Sequence, residues 1–209
     1  MRDISTGPDG TRLVLDLALT IRHDGSGGVA DDLLAPLGLT AWVRAHADML
    51  PVGEDFTADD AVLERVRAVR AAVRALFARA VRPAEPSPAD VRRLLPVPEA
   101  LARLNAAAAL VPAVPVLDWA DGDPAPAARD TAVVAAPDTD LLVTVLARAA
   151  IGFLTGDDRH RLRACHAPRC VRYFLKEHPR QEWCKPSCGN RARVARHHER
   201  HNSRTEKVT

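Results

Sequence analysis

Long apolar runs are missing from this sequence. No stretch approaches the roughly 18 apolar residues that a transmembrane helix requires, and no apolar run follows a basic start at the N-terminus. The sequence therefore predicts neither a membrane anchor nor a signal peptide, and we expect a cytoplasmic protein without membrane contacts. It also lacks a Gly-rich phosphate loop and an internal repeat, which argues against a nucleotide-binding loop and a repeat array.

Aromatic residues and lysine are scarce. Aromatic side chains make up 4% of the 209 residues, whereas apolar side chains make up 47%. Ala and Val therefore supply much of the core, which favours closely packed helices. Lysine occurs only at Lys176, Lys185 and Lys207, so arginine carries almost all of the positive charge. This preference is typical of a GC-rich genome and by itself indicates no function.

The charge is distributed unequally along the chain. Residues 161–209 contain 13 basic residues (Lys and Arg) and 4 acidic residues (Asp and Glu), a net charge of +9. Residues 1–160 contain 16 basic and 23 acidic residues, a net charge of −7. An acidic body with a basic C-terminal segment is typical of proteins that bind nucleic acids or membranes through that segment. We therefore expect the C-terminal segment to contact a polyanion.

Cysteine is absent from the first 164 residues and then occurs as two close pairs, Cys165 with Cys170 and Cys184 with Cys188. Two pairs of thiols separated by a hairpin-sized segment suit tetrahedral zinc, because each pair binds the metal from a tight turn. In a reducing cytoplasm, thiols are metal ligands more often than disulfides. We therefore expect one structural zinc ion; two disulfides and unrelated buried cysteines are the alternatives. Four protein ligands leave no open metal position, so we expect no metal catalysis.

Aromatic and basic residues surround the cysteine pairs. Tyr173, Phe174, Leu175 and Trp183 lie between the pairs and are predicted to form a small core under the metal. A basic helix is predicted over residues 190–201. Its arginines are expected to offset the negative charge of the zinc thiolates and to contact DNA. The predicted nucleic-acid contacts are Arg191, Arg193, Arg196 and Arg200 on this helix, with Lys176, Arg180 and Lys185 as backbone contacts.

Residues 57–82 form the clearest predicted helix. Thr57 is a candidate N-terminal cap, and apolar residues recur every three or four positions along one face. The members of this stripe are Val62, Val66, Val69, Val73, Leu76 and Phe77. Four arginines lie mostly beside the stripe and are interpreted as a solvated face rather than a phosphate site. They are Arg65, Arg67, Arg70 and Arg74.

The other elements are predicted from shorter patterns. Residues 12–21 are apolar and favour a strand or a strand that leads into a helix, and Thr40 is a candidate helix cap. Residues 111–119 and 129–136 are extended segments around a turn and predict a hairpin. Asp138 is expected to cap a helix over residues 139–154.

The cysteine-rich segment resembles the CGNR zinc-finger proteins. The resemblance rests on the two cysteine pairs, on Trp183-Cys184 and on the run from Cys188 through Gly189, Asn190 and Arg191 to Arg193. The upstream region is similar to the ABATE domain of that family. Its matching segments are Leu13 to Asp16, Asp31 to Leu33, Trp42, Leu104-Asn105 and Leu146 to Ala150.

The resemblance implies a bacterial transcription regulator with zinc-dependent DNA binding. The expected fold is α+β, with a mostly helical N-terminal domain that contains a small antiparallel sheet (residues 1–157). A treble-clef-like zinc finger with four cysteine ligands and a basic C-terminal helix follows (residues 158–209). DNA is the expected partner, while a homodimer and a small-molecule effector of the N-terminal domain are compatible with such a regulator. The alternative is a structural or protein-interaction module whose basic helix docks on an acidic partner or on its own acidic domain. An enzyme is not expected.

Overall fold

The computed structural model describes residues 2–4, 9–26, 28–53, 55–122 and 125–205, except for the side chains of Glu199 and residues 201–205. The described residues form six α-helices: α1 Gly10–Leu19, α2 Pro36–Ala45, α3 Asp60–Ala80, α4 Val97–Ala108, α5 Asp138–Thr155 and α6 Pro186–Thr205. The strands are β1 Ile21–His23, β2 Val29–Asp31, β3 Ala113–Asp118, β4 Ala127–Ala132, β5 Leu162–Ala164 and β6 Tyr173–Leu175. They pair as three antiparallel two-stranded sheets, β1–β2, β3–β4 and β5–β6. The predicted helix-rich α+β fold is confirmed.

Helix α5 lies at the centre of the helical body. Ten of its 18 residues are buried, and they occupy nearly every side of the helix between Leu141 and Phe153. Helices α1, α3 and α4 all pack against it. A helix that is apolar all round belongs in the interior. The body is therefore a bundle of three helices around α5.

Helix α3 presents the predicted apolar stripe to this core, and all six residues of the stripe are buried. The predicted start of this helix is wrong. Asp59, rather than Thr57, is the N-terminal cap, and its carboxylate accepts a hydrogen bond from the Val62 amide at 2.8 Å. An aspartate at this position satisfies an amide that has no partner within the helix.

The solvated arginine face predicted on α3 is wrong for two of its four members. Arg70 and Arg74 are only 4% and 3% exposed. Arg70 donates to both carboxylate oxygens of Asp31, at 2.5 and 2.7 Å, and to Thr20 Oγ1 at 2.9 Å. Burial opposes ionisation of Asp31, but the hydrogen bonds and the charge of Arg70 outweigh it, so the pKa of Asp31 is lowered. These arginines are buried because carboxylates from distant segments meet them.

The strand predicted over residues 12–21 is wrong, since most of this segment is α1. Leu13, Val14, Leu17 and Ala18 are buried on one side of that helix. Leu13 and Leu17 are four residues apart, as are Val14 and Ala18, which is a helical spacing. Other apolar residues lie between them, so the sequence alone does not show this helical pattern clearly. The chain becomes extended only at β1.

Two predicted helix caps serve other purposes. Thr40 lies inside α2, where its hydroxyl donates to the Pro36 carbonyl and accepts from the Ala58 amide, both at 3.0 Å. Asp138 is the first residue of α5 and forms no cap hydrogen bond within that helix. Its carboxylate accepts from the Gly53 amide at 3.0 Å and pairs with Arg2. Both side chains connect helix starts to neighbouring segments.

The predicted hairpin is present as β3 and β4, paired from Ala113 opposite Ala132 to Asp118 opposite Ala127. The second strand ends at Ala132 rather than at residue 136. Residues 2–4 run beside β4, where the Ile4 amide donates to the Asp130 carbonyl at 2.8 Å. No helix in the described part of the chain is both long and apolar enough to cross a bilayer.

Candidate metal centre and basic helix

The first cysteine pair lies in the loop that joins β5 to β6. Cys165 follows the end of β5, and its amide donates to the Arg172 carbonyl at 2.9 Å. The Cys170 amide donates to the Ala167 carbonyl at the same distance, which closes a tight turn. Arg169 in this turn has a positive φ of 63°. The turn directs both thiols toward one point.

The second pair lies at the start of α6. This helix begins at Pro186, four residues before its predicted start, and continues to Thr205. Cys184 precedes the helix, and Cys188 lies in its first turn, where its amide donates to the Lys185 carbonyl at 3.0 Å. Proline suits the first turn of a helix, where an amide hydrogen has no partner in any case. The helix start therefore fixes the second pair opposite the first.

The four sulfur atoms fit a single tetrahedral metal ion. All four lie within 4.8 Å of one another. Cys184 Sγ is 3.5 Å from Cys188 Sγ and 3.9 Å from Cys170 Sγ, and Cys170 Sγ is 3.9 Å from Cys188 Sγ. A tetrahedron with metal–sulfur bonds of about 2.3 Å has sulfur–sulfur edges of about 3.8 Å. All four cysteines are free thiols, so the disulfide alternative finds no support.

Four thiolates this close together carry a negative charge that must be compensated. Hydrogen bonding to the neighbouring Cys165 raises the pKa of Cys170 to about 12, and the same crowding raises the pKa of Cys184. A cation at the centre of the cluster is what allows all four to remain thiolates at neutral pH. Arg191, one turn along α6, donates to Cys188 Sγ at 3.3 Å. Arg191 therefore helps to offset the negative charge of the thiolates, as predicted for the arginines of this helix.

A small apolar cluster surrounds the thiols. It contains Ala167, and Phe174 and Trp183 pack against it. Gly189 lies against the Trp183 ring, since a Cβ added there would come within 3.0 Å of Trp183 Cδ1. The predicted core under the metal is therefore confirmed for Phe174 and Trp183. Tyr173 and Leu175 instead pack into the core of the helical body.

A buried polar network joins the cysteine-rich segment to the helical body. Arg74 of α3 donates to Asp90 Oδ1 at 2.6 Å and to the Val171 carbonyl, next to Cys170, at 2.8 Å. The Tyr173 hydroxyl donates to Asp90 Oδ2 at 2.9 Å. Burial and the charge of Asp90 raise the pKa of Tyr173, which keeps its hydroxyl protonated. The network ties the metal-binding turn to the centre of α3.

The same turn is tied to the body at a second point. The Ser87 hydroxyl donates to the Cys170 carbonyl, and Ser87 is buried. Ser87 and Asp90 lie just before the 3-10 turn Val91–Arg93. Sequence reasoning misses their role at the metal site. The available sequence signal is the position of Arg74 beside the apolar stripe. An arginine is costly to bury unpaired, so its burial there would require an acidic partner such as Asp90.

Helix α6 presents a basic face away from the cysteine cluster. Arg193, Arg196, His197 and Arg200 are exposed and line one shallow surface concavity, as their spacing predicts. Ala192, nearer the start of the helix, is buried. Val194 is 58% exposed and therefore does not pack against the body.

The arginine contacts on this face stay within α6. Arg193 pairs with Asn190, and Arg196 Nε donates to the Ala192 carbonyl at 3.4 Å. Arg200 Nε donates to the Arg196 carbonyl at 3.2 Å. Within the described residues, no carboxylate pairs with these three arginines. Their positive charge therefore faces outward.

The three remaining predicted contacts lie in the segment around the second cysteine pair. Arg180 and Lys185 are exposed, and Lys176 is half-buried just after β6. The Lys176 amide donates to the Arg161 carbonyl at 2.8 Å, which extends the β5–β6 pairing by one bond. None of these three forms an ion pair with a described residue. Their side chains add positive charge beside the cysteine cluster.

Fold and site together define a protein with a helical N-terminal domain and a C-terminal four-cysteine zinc finger. Residues 11–157 match the model of the ABATE family, described as "putative stress-induced transcription regulator". Residues 161–201 match the CGNR zinc finger. The chain belongs to the ABATE family and carries a CGNR zinc finger, and its cysteine cluster is consistent with one structural zinc ion. No curated protein matches the chain.

Proposed function

We propose that this chain is a zinc-dependent DNA-binding transcription regulator. In this proposal Cys165, Cys170, Cys184 and Cys188 hold one structural zinc ion. The metal fixes the start of α6, and the basic face of that helix contacts DNA. The two family matches support a zinc-binding regulator of transcription. They name no enzymatic activity, and we propose none.

The outward charge of α6 is the observation that carries the proposal. Arg193, Arg196 and Arg200 hydrogen-bond only within their own helix among the described residues. Such side chains can reach phosphates or base edges without first breaking an ion pair to the body. Lys185 and Arg180 extend the basic surface beside the helix.

Arg191 has a different proposed role from the other arginines of α6. Its guanidinium contacts Cys188 Sγ and is partly buried. An arginine in this position stabilises the thiolates, so its contribution to DNA binding is indirect. The proposed direct contacts are therefore Arg193, Arg196 and Arg200, with Lys176, Arg180 and Lys185 toward the phosphate backbone.

The helical domain is proposed to place the finger and to regulate or dimerise it. We propose a division into residues 1–157 and 158–209, with the Arg74–Asp90–Tyr173 network across that boundary. A finger held by buried hydrogen bonds moves with the domain that holds it. A conformational change in the helical domain would therefore reposition α6.

Binding of duplex DNA by zinc-loaded full-length protein tests the proposal. If about five cations meet phosphates, log affinity falls with log salt at a slope of about −4 to −5. Removing zinc with a chelator should abolish binding, and restoring zinc should recover it. A slope near zero, or binding that survives chelation unchanged, would overturn the proposal.

The alternative is a structural or protein-interaction finger, and the same assay separates it. This function predicts no DNA shift with or without chelator. Among the described residues, no ion pair joins α6 to the acidic helical domain, so docking of α6 on that domain has no such support. An acidic partner protein would remain as the occupant of the basic face.

A further inference from the structure

A cavity in the helical body lies between α3, α4 and α5, apart from the cysteine cluster. Its volume is about 530 Å³, a size typical of small-molecule sites. Most of its wall is apolar, which favours a ligand with a hydrocarbon portion. The apolar side chains are Leu76, Ala80, Leu101, Leu104, Ile151 and Leu154.

Three arginines line the same cavity, and none of the acidic residues that the structure describes does. The arginines are Arg79, Arg82 and Arg159. Arg82 is paired with Glu85 at 2.6 Å. Arg79 forms no ion pair with any residue that the structure describes. An apolar wall with a basic margin is complementary to a molecule with a hydrocarbon chain and a negative head group.

Arg159 provides a specific reason to expect an anion. Its Nε is buried and has no hydrogen-bond partner among the described residues. Because this atom has almost no accessible surface, a ligand would meet the rest of the guanidinium, which lines the cavity and forms no ion pair with a described residue. Arg159 also lies in the 3-10 turn Asp157–Arg161, directly before β5, so the cavity adjoins the segment that enters the finger.

We propose that this cavity binds an amphipathic monocarboxylate, a medium-chain fatty acid in its chemistry. The alkyl chain lies along Leu101, Leu104 and Leu154, and the carboxylate lies at the margin formed by Arg79 and Arg159. This inference goes beyond the proposed regulator function, because the cavity and its charges do not depend on α6 contacting DNA.

Calorimetric titration of zinc-loaded full-length protein with decanoate, octanoate and decanol tests the proposal. Decanoate should bind, and octanoate, which is two methylenes shorter, should bind about 15-fold more weakly, since each buried methylene contributes about fourfold. Decanol should bind at least about tenfold more weakly than decanoate, because it cannot pair with the arginine margin. Equal affinity for decanol and decanoate would show that the arginines do not recognise the carboxylate. Absence of decanoate binding would contradict the proposal as a whole.

Two variants locate the binding within the cavity. Arg159→Gln should weaken decanoate binding by about tenfold, the typical effect of losing a hydrogen bond to a charged group. Leu101→Glu should also weaken it, because this half-exposed side chain would place a carboxylate in the cavity without disturbing the core. Arg103→Gln, outside the cavity on the same helix, is the charge-matched control and should bind like the wild type. Unchanged decanoate binding by both cavity variants would contradict the assignment.

Discussion

Arg74 shows how much of this structure depends on a single side chain. It is 3% exposed, and its guanidinium contacts the Ala18 carbonyl of α1, Asp90 and the Val171 carbonyl beside the cysteine cluster. Breaking a buried ion pair by removing one partner leaves an uncompensated charge. The side chain therefore connects the helical body with the metal-binding turn.

We predict that Arg74→Met lowers the free energy of unfolding by about 3–5 kcal/mol, because the buried carboxylate of Asp90 would keep only Tyr173 as a side-chain partner among the described residues. Urea denaturation of the zinc-loaded protein measures the change. Arg103→Met, at an exposed pair with Glu99, is the control and should change stability by less than about 1 kcal/mol. Equal effects of the two substitutions would contradict the role assigned to Arg74.

Arg191 and Arg193 are two residues apart but differ in what they contact. Arg191 donates to Cys188 Sγ, whereas Arg193 pairs with Asn190 on the exposed side. Hydrogen bonds to metal ligands hold and tune the metal. The two arginines therefore differ in function as well as in position.

We predict that Arg191→Gln weakens zinc binding by about tenfold or more, because a charge-assisted contact to a ligand is lost. Competition with a chromogenic chelator measures the affinity. Arg193→Gln removes the same charge at an exposed position, and its zinc affinity should match that of the wild type. A loss of zinc affinity common to both variants would indicate a general charge effect rather than a contact with Cys188.

Helix α6 combines two functions along its length. Its first turn carries Cys188, and the following turns carry the basic face. The arginines of this helix repel one another, and the buried residues among those of α6 whose side chains the structure describes, Cys188, Gly189 and Ala192, lie near its start. The metal at its first turn therefore contributes much of its stability.

We predict that Cys188→Ser reduces the zinc content and the helicity contributed by α6, while the helical body stays folded. Metal analysis and far-UV circular dichroism measure the two changes. Ser187→Ala, at an exposed neighbouring position, is the control and should retain zinc. Full zinc content in Cys188→Ser would contradict the four-thiolate cluster.

Periodic and spaced patterns can be predicted from the sequence, but partners of buried charges cannot. The stripe of α3, the β3–β4 hairpin and the clustering of the four cysteines follow from spacing. The burial of Arg70 and Arg74 does not, because it depends on Asp31 and Asp90, which approach from distant parts of the chain. The sequence does not reveal α1 because its apolar run also fits a strand, and only packing against α5 distinguishes the two.

The helical body and the finger share one core at the scale of the whole molecule. Leu162, Ala164 and Tyr173 of the finger belong to the main apolar cluster, and the Tyr173 ring packs edge-on against Phe77 at 5.6 Å. The finger therefore depends on the body for burial as well as for hydrogen bonds. Small metal-stapled modules have little core of their own.

We predict that residues 158–209 alone bind zinc about tenfold or more weakly than the full chain, because the isolated segment loses the body contacts of Tyr173 and Leu162. Chelator competition on both proteins measures the difference. The zinc affinity of the full-length Tyr173→Phe variant should lie between those of the fragment and the wild-type chain, since the substitution removes only the hydrogen bond to Asp90. Equal affinities of fragment and full chain would contradict a shared core.

The most direct test of the central proposal is the salt dependence of DNA binding by two matched triple variants of the full-length, zinc-loaded protein. One variant changes Arg193, Arg196 and Arg200 to Gln; the other changes Arg92, Arg93 and Arg103, exposed residues of the helical domain. Net charge falls equally in both. If α6 contacts phosphates, the slope of log affinity against log salt decreases in magnitude by about 3 in the α6 variant and stays unchanged in the other. The same slope for both variants would contradict DNA recognition by α6.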